Sequence, residues 1–186
     1  MSFVVVLDAC VLFPASLRDT LLRAAQADLY RMQLTEEILE EVRRNLVKKG
    51  MPEDKAQRLA ITIREQFSDA FVTHHQPLIT AMPNHEKDRH VLAAAVACKA
   101  HVIVTQNLRD FPEEILASFE IEAQSPDKFL VYLLRFHRES MVEILMKQAA
   151  NLHSPSMTVF EVLDTLKLHV PIFAELARKE LASPPA

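Results

Sequence analysis

Phe3-Val4-Val5-Val6-Leu7-Asp8 is the stretch on which the reading of this chain turns. Three consecutive valines flanked by Phe3 and Leu7 suit a strand buried on both faces, because β-branched side chains pack on a pleated surface and no polar alternation marks a wet side. Asp8 then falls at the carboxyl end of that strand. In open α/β sheets this edge is where ligands bind, so a carboxylate there is a site candidate. Its ordinary alternative is to cap the turn into the next helix.

Strand and helix alternate outward from this point. Helical spacing predicts a helix over Ser16 to Ala27 and, after a short extended piece at Tyr30 to Leu34, a second helix capped by Thr35, with Ile38, Leu39, Val42 and Leu46 as its apolar stripe. A third helix begins after Pro52 and leads into a possible strand at Phe71 to Thr73. Pro77 and Pro83 break the next segment into one short turn and a loop. Asp88 to Lys99 reads as an Ala-rich helix, His101 to Thr105 as a second buried strand, and Phe119 to Ile121 as a short closing strand. From Pro126 onward only helical periodicity remains, and the Ser183-Pro184-Pro185 terminus reads as frayed. The pattern predicts an α/β fold with a central parallel sheet covered on both sides over residues 1–125, followed by an all-helical extension over residues 126–186.

The 186 residues suffice for one sizeable core and an appendage. A formal net charge of −4 excludes a generally basic protein, so nucleic acid would have to be met by a local patch or through bound metal. The single glycine, Gly50, excludes phosphate-cradling loops of the P-loop or dinucleotide type, which need several. Cys10 and Cys98 make no disulfide framework and read as small buried groups in a reducing compartment. No stretch reaches the roughly 18 apolar residues of a membrane span, and the first residues lack a secretory signal's basic lead-in, so a cytoplasmic location is expected.

Four places put carboxylates or amides where strand ends and helix starts could converge: Asp8, Glu41, Asp88, and the run Thr105-Gln106-Asn107-Leu108-Arg109-Asp110. On the Thr35-capped helix, Glu41 borders the buried stripe, whereas Glu40 shares a face with Glu36, Arg43 and Arg44. Each position has an ordinary role: a solvated helix acid for Glu41, a cap for Asp88, turn chemistry for Asn107 and Asp110. Their joint occurrence at strand ends points to one crevice. Carboxylates crowded together raise each other's pKa, and a hard divalent cation makes the arrangement tolerable. His74, His75, His85 and His90 match no standard zinc spacing and read as satisfied or exposed histidines.

These residues, Val5-Val6-Leu7-Asp8-Ala9-Cys10-Val11-Leu12, Leu39-Glu40-Glu41-Val42, Asp88-Arg89-His90-Val91-Leu92-Ala93-Ala94-Ala95 and Val102-Ile103-Val104-Thr105-Gln106-Asn107-Leu108-Arg109-Asp110-Phe111-Pro112, resemble in order and spacing the PIN-domain family, most closely its VapC-type toxin ribonucleases. The resemblance covers Phe3 to Ala123, and the helical tail resembles the extension of some VapC-type members. It implies a three-layer α/β/α fold and a Mg²⁺- or Mn²⁺-dependent endoribonuclease. Asp8, Glu41 and Asp88 would be its acidic ligands, Thr105 an ordering hydroxyl, and Asn107 would stand where many members have a fourth acid. That departure leaves Asp110 to supply the missing charge. The resemblance further implies an RNA substrate, a cognate antitoxin protein and a possible homodimer. Arg43, Arg44, Lys48 and Lys49 are candidate phosphate contacts, and equally a helix end whose cations suit its dipole.

Two other readings stay open. Asn107 is also compatible with an RNA-binding or protein-docking module that keeps the fold without catalysis. A haloacid-dehalogenase-type phosphatase fits less well, because Asp8-Ala9-Cys10 lacks the second Asp two residues on.

Overall fold

The computed structural model describes residues 3–182; the terminus at Ser183-Pro184-Pro185 lies outside them. In chain order the elements are β1 (Val4–Leu7), α1 (Ala9–Leu12), α2 (Ala15–Gln26), β2 (Arg31–Gln33), α3 (Glu36–Lys48), α4 (Glu53–Gln66), α5 (Arg89–Ala97), β3 (Val102–Val104), α6 (Glu113–Leu116), β4 (Glu122–Gln124), α7 (Pro126–Phe136), α8 (Arg138–Ala150), α9 (Val159–Lys167) and α10 (Pro171–Ala182), with short 3₁₀ turns between them. The described residues divide into two compact units. One takes the residues up to Phe13 and Tyr30–Gln124; the other takes Pro14–Leu29 and everything from Ser125 on. No helix among the described residues is long and apolar enough to cross a membrane.

In the first unit four parallel strands run in the order β2-β1-β3-β4. This is the expected α/β/α architecture with a central parallel sheet. Val5 faces Met32 on one side and Val102 on the other, and Val5, Val6 and Leu7 are fully buried, as a valine run without polar alternation requires. The chain leaves β1 toward β2 on one side and later places β3 on the other. The order therefore reverses at β1, and the crevice opens where β1 and β3 end.

Two expected strands differ. The closing strand is β4, three residues beyond Phe119 to Ile121: Ala117–Phe119 form a 3₁₀ turn that Glu120 ends in the left-handed region (φ 58°), which delays entry into the sheet. Phe71 to Thr73 makes only one parallel bridge, Leu34 to Phe71, held by Leu34 N–H donating to Ala70 O and Val72 N–H donating to Leu34 O, each at 2.8 Å. The intervening Pro77 and Pro83 region forms the expected short turn, Gln76–Ala81.

α3 carries the acids and is fixed at both ends. Thr35 Oγ1 accepts from Ile38 N–H at 3.1 Å, Glu36 and Glu37 sit in the positive first turn, and Gly50 (φ 97°) ends it. Ile38, Leu39, Val42 and Leu46 are buried, as their spacing predicts. α4 packs against α3 through Ala56, Ala60 and Ile63.

The second unit differs from an extension that begins at residue 126, because it also contains α2. Thr20 Oγ1 donates to Gln148 Oε1 at 2.8 Å and Gln148 Nε2 donates to Ser16 O at 3.0 Å, a buried polar link across more than a hundred residues that local periodicity does not reveal. Its helices are capped by Ser125 (α7) and a Thr158–Glu161 capping box (α9). The Asp127 carboxylate accepts from Ile172 and Phe173 N–H at the start of α10. Phe129, Leu133, Met141, Leu145, Leu163 and Phe173 form its core, while Phe136, Phe160 and Ile172, on the same periodic pattern, are exposed.

Candidate metal centre

The site is built at the crevice between the ends of β1 and β3. Asp8 N–H donates to Val104 O at 3.1 Å and Thr105 N–H to Gln124 O at 3.0 Å, so the residues just past the two strands stand side by side. Asp8 occupies the N-cap position of α1 and Asp88 that of α5, yet neither side chain makes a cap hydrogen bond. The capping role available to each in the sequence is therefore not the one adopted. Asp8 Oδ2 instead accepts from the Thr105 hydroxyl at 2.7 Å and from the Cys10 thiol at 3.2 Å. Thr105 Oγ1 accepts in turn from Asn107 N–H at 2.9 Å, and Asn107 Nδ2 donates to Asp110 Oδ2. These side chains and the Asn107 backbone N–H thus link Asp8 to Asp110 in one bonded chain across the sheet edge, with Asp8 and Thr105 buried.

The acids repel one another. The Asp88 carboxyl is pushed up to about 6, first by burial, then by the Asp8 charge and by its hydrogen bond and charge interaction with Asp110, with His85 opposing. The Glu41 carboxyl is also raised, chiefly by burial; His90 and Arg44 oppose, while Asp8 and Glu37 add. Burial, followed by the neighbouring Asp8 charge, pushes the Cys10 thiol up to about 12, so it remains a neutral donor at pH 7. Asp8, Glu41, Asp88 and Asp110 consequently form one electrostatic group.

His85 Nδ1 lies 3.8 Å from Asp88 Oδ2, and His85, Asp88 and Asp110 each present an atom within 4.8 Å of the other two. Asn84, buried beside them, donates from Nδ2 to Asp110 O at 3.4 Å, and its Oδ1 is buried with no hydrogen-bond partner among the described residues. His90 Nε2 stands 3.8 Å from Glu41 Oε2. Both histidine contacts are too long for hydrogen bonds. Clustered carboxylates, a neutral buried oxygen without a donor and ligand atoms within 4.8 Å of one another make a donor set that fits a hard divalent ion.

Of the sequence-predicted residues, the structure brings Asp8, Asp88, Thr105, Asn107 and Asp110 together by contact or charge, and Glu41 by charge. The four cations separate. Arg43 is occupied by Glu40 (Nε to Oε2, 2.8 Å) and Glu53, on the face that joins α3 to α4. Arg44 reaches Glu40 at 4.0 Å and its charge acts on Glu41, while Lys48 is exposed in the last turn of α3 and Lys49 Nζ sits 5.6 Å from the Phe13 ring centroid. Sequence reasoning missed Asn84, Cys10 and His85 as parts of the site. A usable signal existed for His85: it precedes Asp88 by three residues, and across a 3₁₀ turn such side chains eclipse. The same spacing joins Asn107 to Asp110.

Comparison with known proteins agrees with this geometry. The PIN domain family model matches residues 4–109, and that of the VapC50 C-terminal domain matches residues 126–179. A protein of Mycobacterium tuberculosis (strain ATCC 25618 / H37Rv) described as "Putative ribonuclease VapC50" is 43% identical over 110 residues. That match covers 59% of this chain and 65% of the relative, slightly less than two thirds of its length. No solved structure gives a significant match. With the PIN match spanning more than half of its residues, and a parallel sheet whose β1 and β3 ends gather the acids, the chain belongs to the PIN-domain family and is similar to its VapC-type members.

Proposed function

We propose that this protein is a divalent-metal-dependent endoribonuclease that hydrolyses RNA phosphodiester bonds and serves as the toxin of a toxin–antitoxin pair in the cytoplasm. One observation carries the reading: Asp8 and Asp88 forgo the helix caps their positions offer, and with Glu41 and Asp110 they crowd one crevice, at a cost visible in the raised carboxyl of Asp88. Such an arrangement persists where an ion compensates it.

Asp8, Asp88 and Asp110 would hold the ion, with Glu41 at its margin. When bound, Mg²⁺ or Mn²⁺ supplies water activation and neutralises charge on the phosphodiester. The chain's own residues prepare for this. Thr105 and Cys10 both donate to Asp8 Oδ2, which fixes the carboxylate, and Oδ1 would be the oxygen offered to an ion. Asn107 spends its amide on Asp110 and so acts as a clamp, with Asp110 providing the charge that an acid at 107 would have carried. Arg44 and Lys48, on the helix that bears Glu41, would be the cations to meet phosphates; affinity from them would be salt-dependent and largely sequence-independent. An RNA substrate, a cognate antitoxin protein and a possible homodimer belong to this reading. The Asn107 departure supports the alternative of a non-catalytic RNA-binding module, and the bond to Asp110 argues against it.

The test is cleavage of a mixed-sequence RNA by the purified chain with Mg²⁺ or Mn²⁺, with EDTA, and by Asp8→Asn. Cleavage that needs the ion and disappears in the variant is expected; undiminished cleavage in EDTA would reject the proposal.

A further inference from the structure

We infer that His85 is a nitrogen ligand of the metal centre, and that it makes the site select a first-row transition ion such as Mn²⁺ over Mg²⁺. This rests on the metal-dependent reading above and adds to it the class of ion. The geometry lies in the turn before α5. Asp88 N–H donates to His85 O at 2.9 Å, closing a 3₁₀ turn over Glu86–Asp88, and in such a turn side chains three apart stack on one side. His85 Nδ1 is thereby 3.8 Å from Asp88 Oδ2, and with Asp110 the three ligand atoms lie within 4.8 Å of one another. Octahedral ligands about 2.1 Å from an ion stand roughly 3 Å apart as neighbours and about 4.2 Å apart across it. The 3.8 Å between His85 Nδ1 and Asp88 Oδ2 lies between those two spacings, and the imidazole is half exposed rather than packed in the core.

The chemistry of the atom then sets the preference. Mg²⁺ takes oxygen ligands and gives up its waters reluctantly; Mn²⁺, at the weak end of the first-row series, also suits oxygen but accepts one imidazole nitrogen more readily than Mg²⁺, and affinity for nitrogen rises along the series. A centre of carboxylates alone is served by either class. Replacing one oxygen by an imidazole nitrogen tilts the balance toward the transition ion. His90 is the other ring near the acids, but its Nε2 faces Glu41 and it is not among the three residues whose ligand atoms lie within 4.8 Å of one another.

The experiment uses the full chain and the metals alone. Mn²⁺ and Mg²⁺ are titrated by calorimetry into the wild type and into His85→Asn, and the Mn²⁺ complexes are examined by electron spin-echo envelope modulation, which reads a directly coordinated ¹⁴N. The wild type is expected to show the ¹⁴N coupling and to bind Mn²⁺ more tightly than Mg²⁺. In His85→Asn the coupling disappears and the Mn²⁺-to-Mg²⁺ affinity ratio falls by about ten-fold, at the low end of what altering a partner one shell further out costs. Mn²⁺ binding without ¹⁴N coupling in the wild type, or coupling that survives in His85→Asn, overturns the assignment while leaving the metal centre standing. Absence of Mn²⁺ binding altogether overturns both.

Discussion

Replacing Asp88 by Asn removes a carboxylate that the fold holds partly buried and beside other acids, so the variant is expected to be more stable than the wild type when no metal is present. The Asp88 carboxyl stands at about 6, against an ordinary value of 3.8. At 1.36 kcal/mol per pH unit this gap corresponds to at most about 3 kcal/mol, and because the side chain is partly open to the crevice, screening reduces it to about 1 to 2 kcal/mol. The sign follows from proton counting. A folded pKa above the unfolded one means that the folded state holds the proton longer, so the group's cost is absent at low pH and is incurred as pH rises from about 4 through about 6. Thermal melts of wild type and Asp88→Asn in EDTA at pH 4.5 and 7.5 read the difference. For a chain of this size 1 kcal/mol moves Tm by about 2 to 4 °C, so the variant's advantage should grow by several degrees between the two pH values. Glu41, also raised, is common to both proteins and largely cancels. An Asp88→Asn variant that is less stable by the same amount at both pH values would refute the reasoning, since Asp88 would then be an ordinary structural cap.

Two further substitutions probe the bonded chain. Thr105→Val removes the buried hydroxyl that donates to Asp8 and accepts from Asn107; a hydrogen bond to a charged group of this kind is worth about 1.5 to 3 kcal/mol, read by denaturant unfolding, and RNA cleavage should fall with it as Asp8 loses its orientation. Asn107→Asp adds a charge where Asp110 now accepts an amide, so the metal-free Tm is expected to fall while Mn²⁺ binds about ten-fold tighter, or 1.4 kcal/mol, by calorimetry.

What the sequence made legible was whatever local chemistry specifies. Three valines without alternation announced β1, Thr35 with two following acids announced α3, and the choice of Glu41 over Glu40 followed from helical spacing; Glu40 is bonded to Arg43 away from the crevice. Long-range partners were not legible. The Thr20–Gln148 bond that draws α2 into the helical unit joins residues 128 apart, and neither carries a local signal of the other. β4 was misplaced by three residues because Glu120, not a glycine, takes the left-handed conformation that delays the strand. At the site, pairs across 3₁₀ turns are closer than α-helical spacing suggests, which is why His85 was weighed only as a zinc ligand and set aside and the bond from Asn107 to Asp110 was not foreseen.

The central claim is that Asp8 and Asp88, carried by different segments, bind one divalent ion together. Calorimetric titration of Mn²⁺ into the wild type, Asp8→Asn and Asp88→Asn tests it directly. Binding in the wild type that weakens by ten-fold or more in each variant is the predicted result; equal affinity in all three would contradict it.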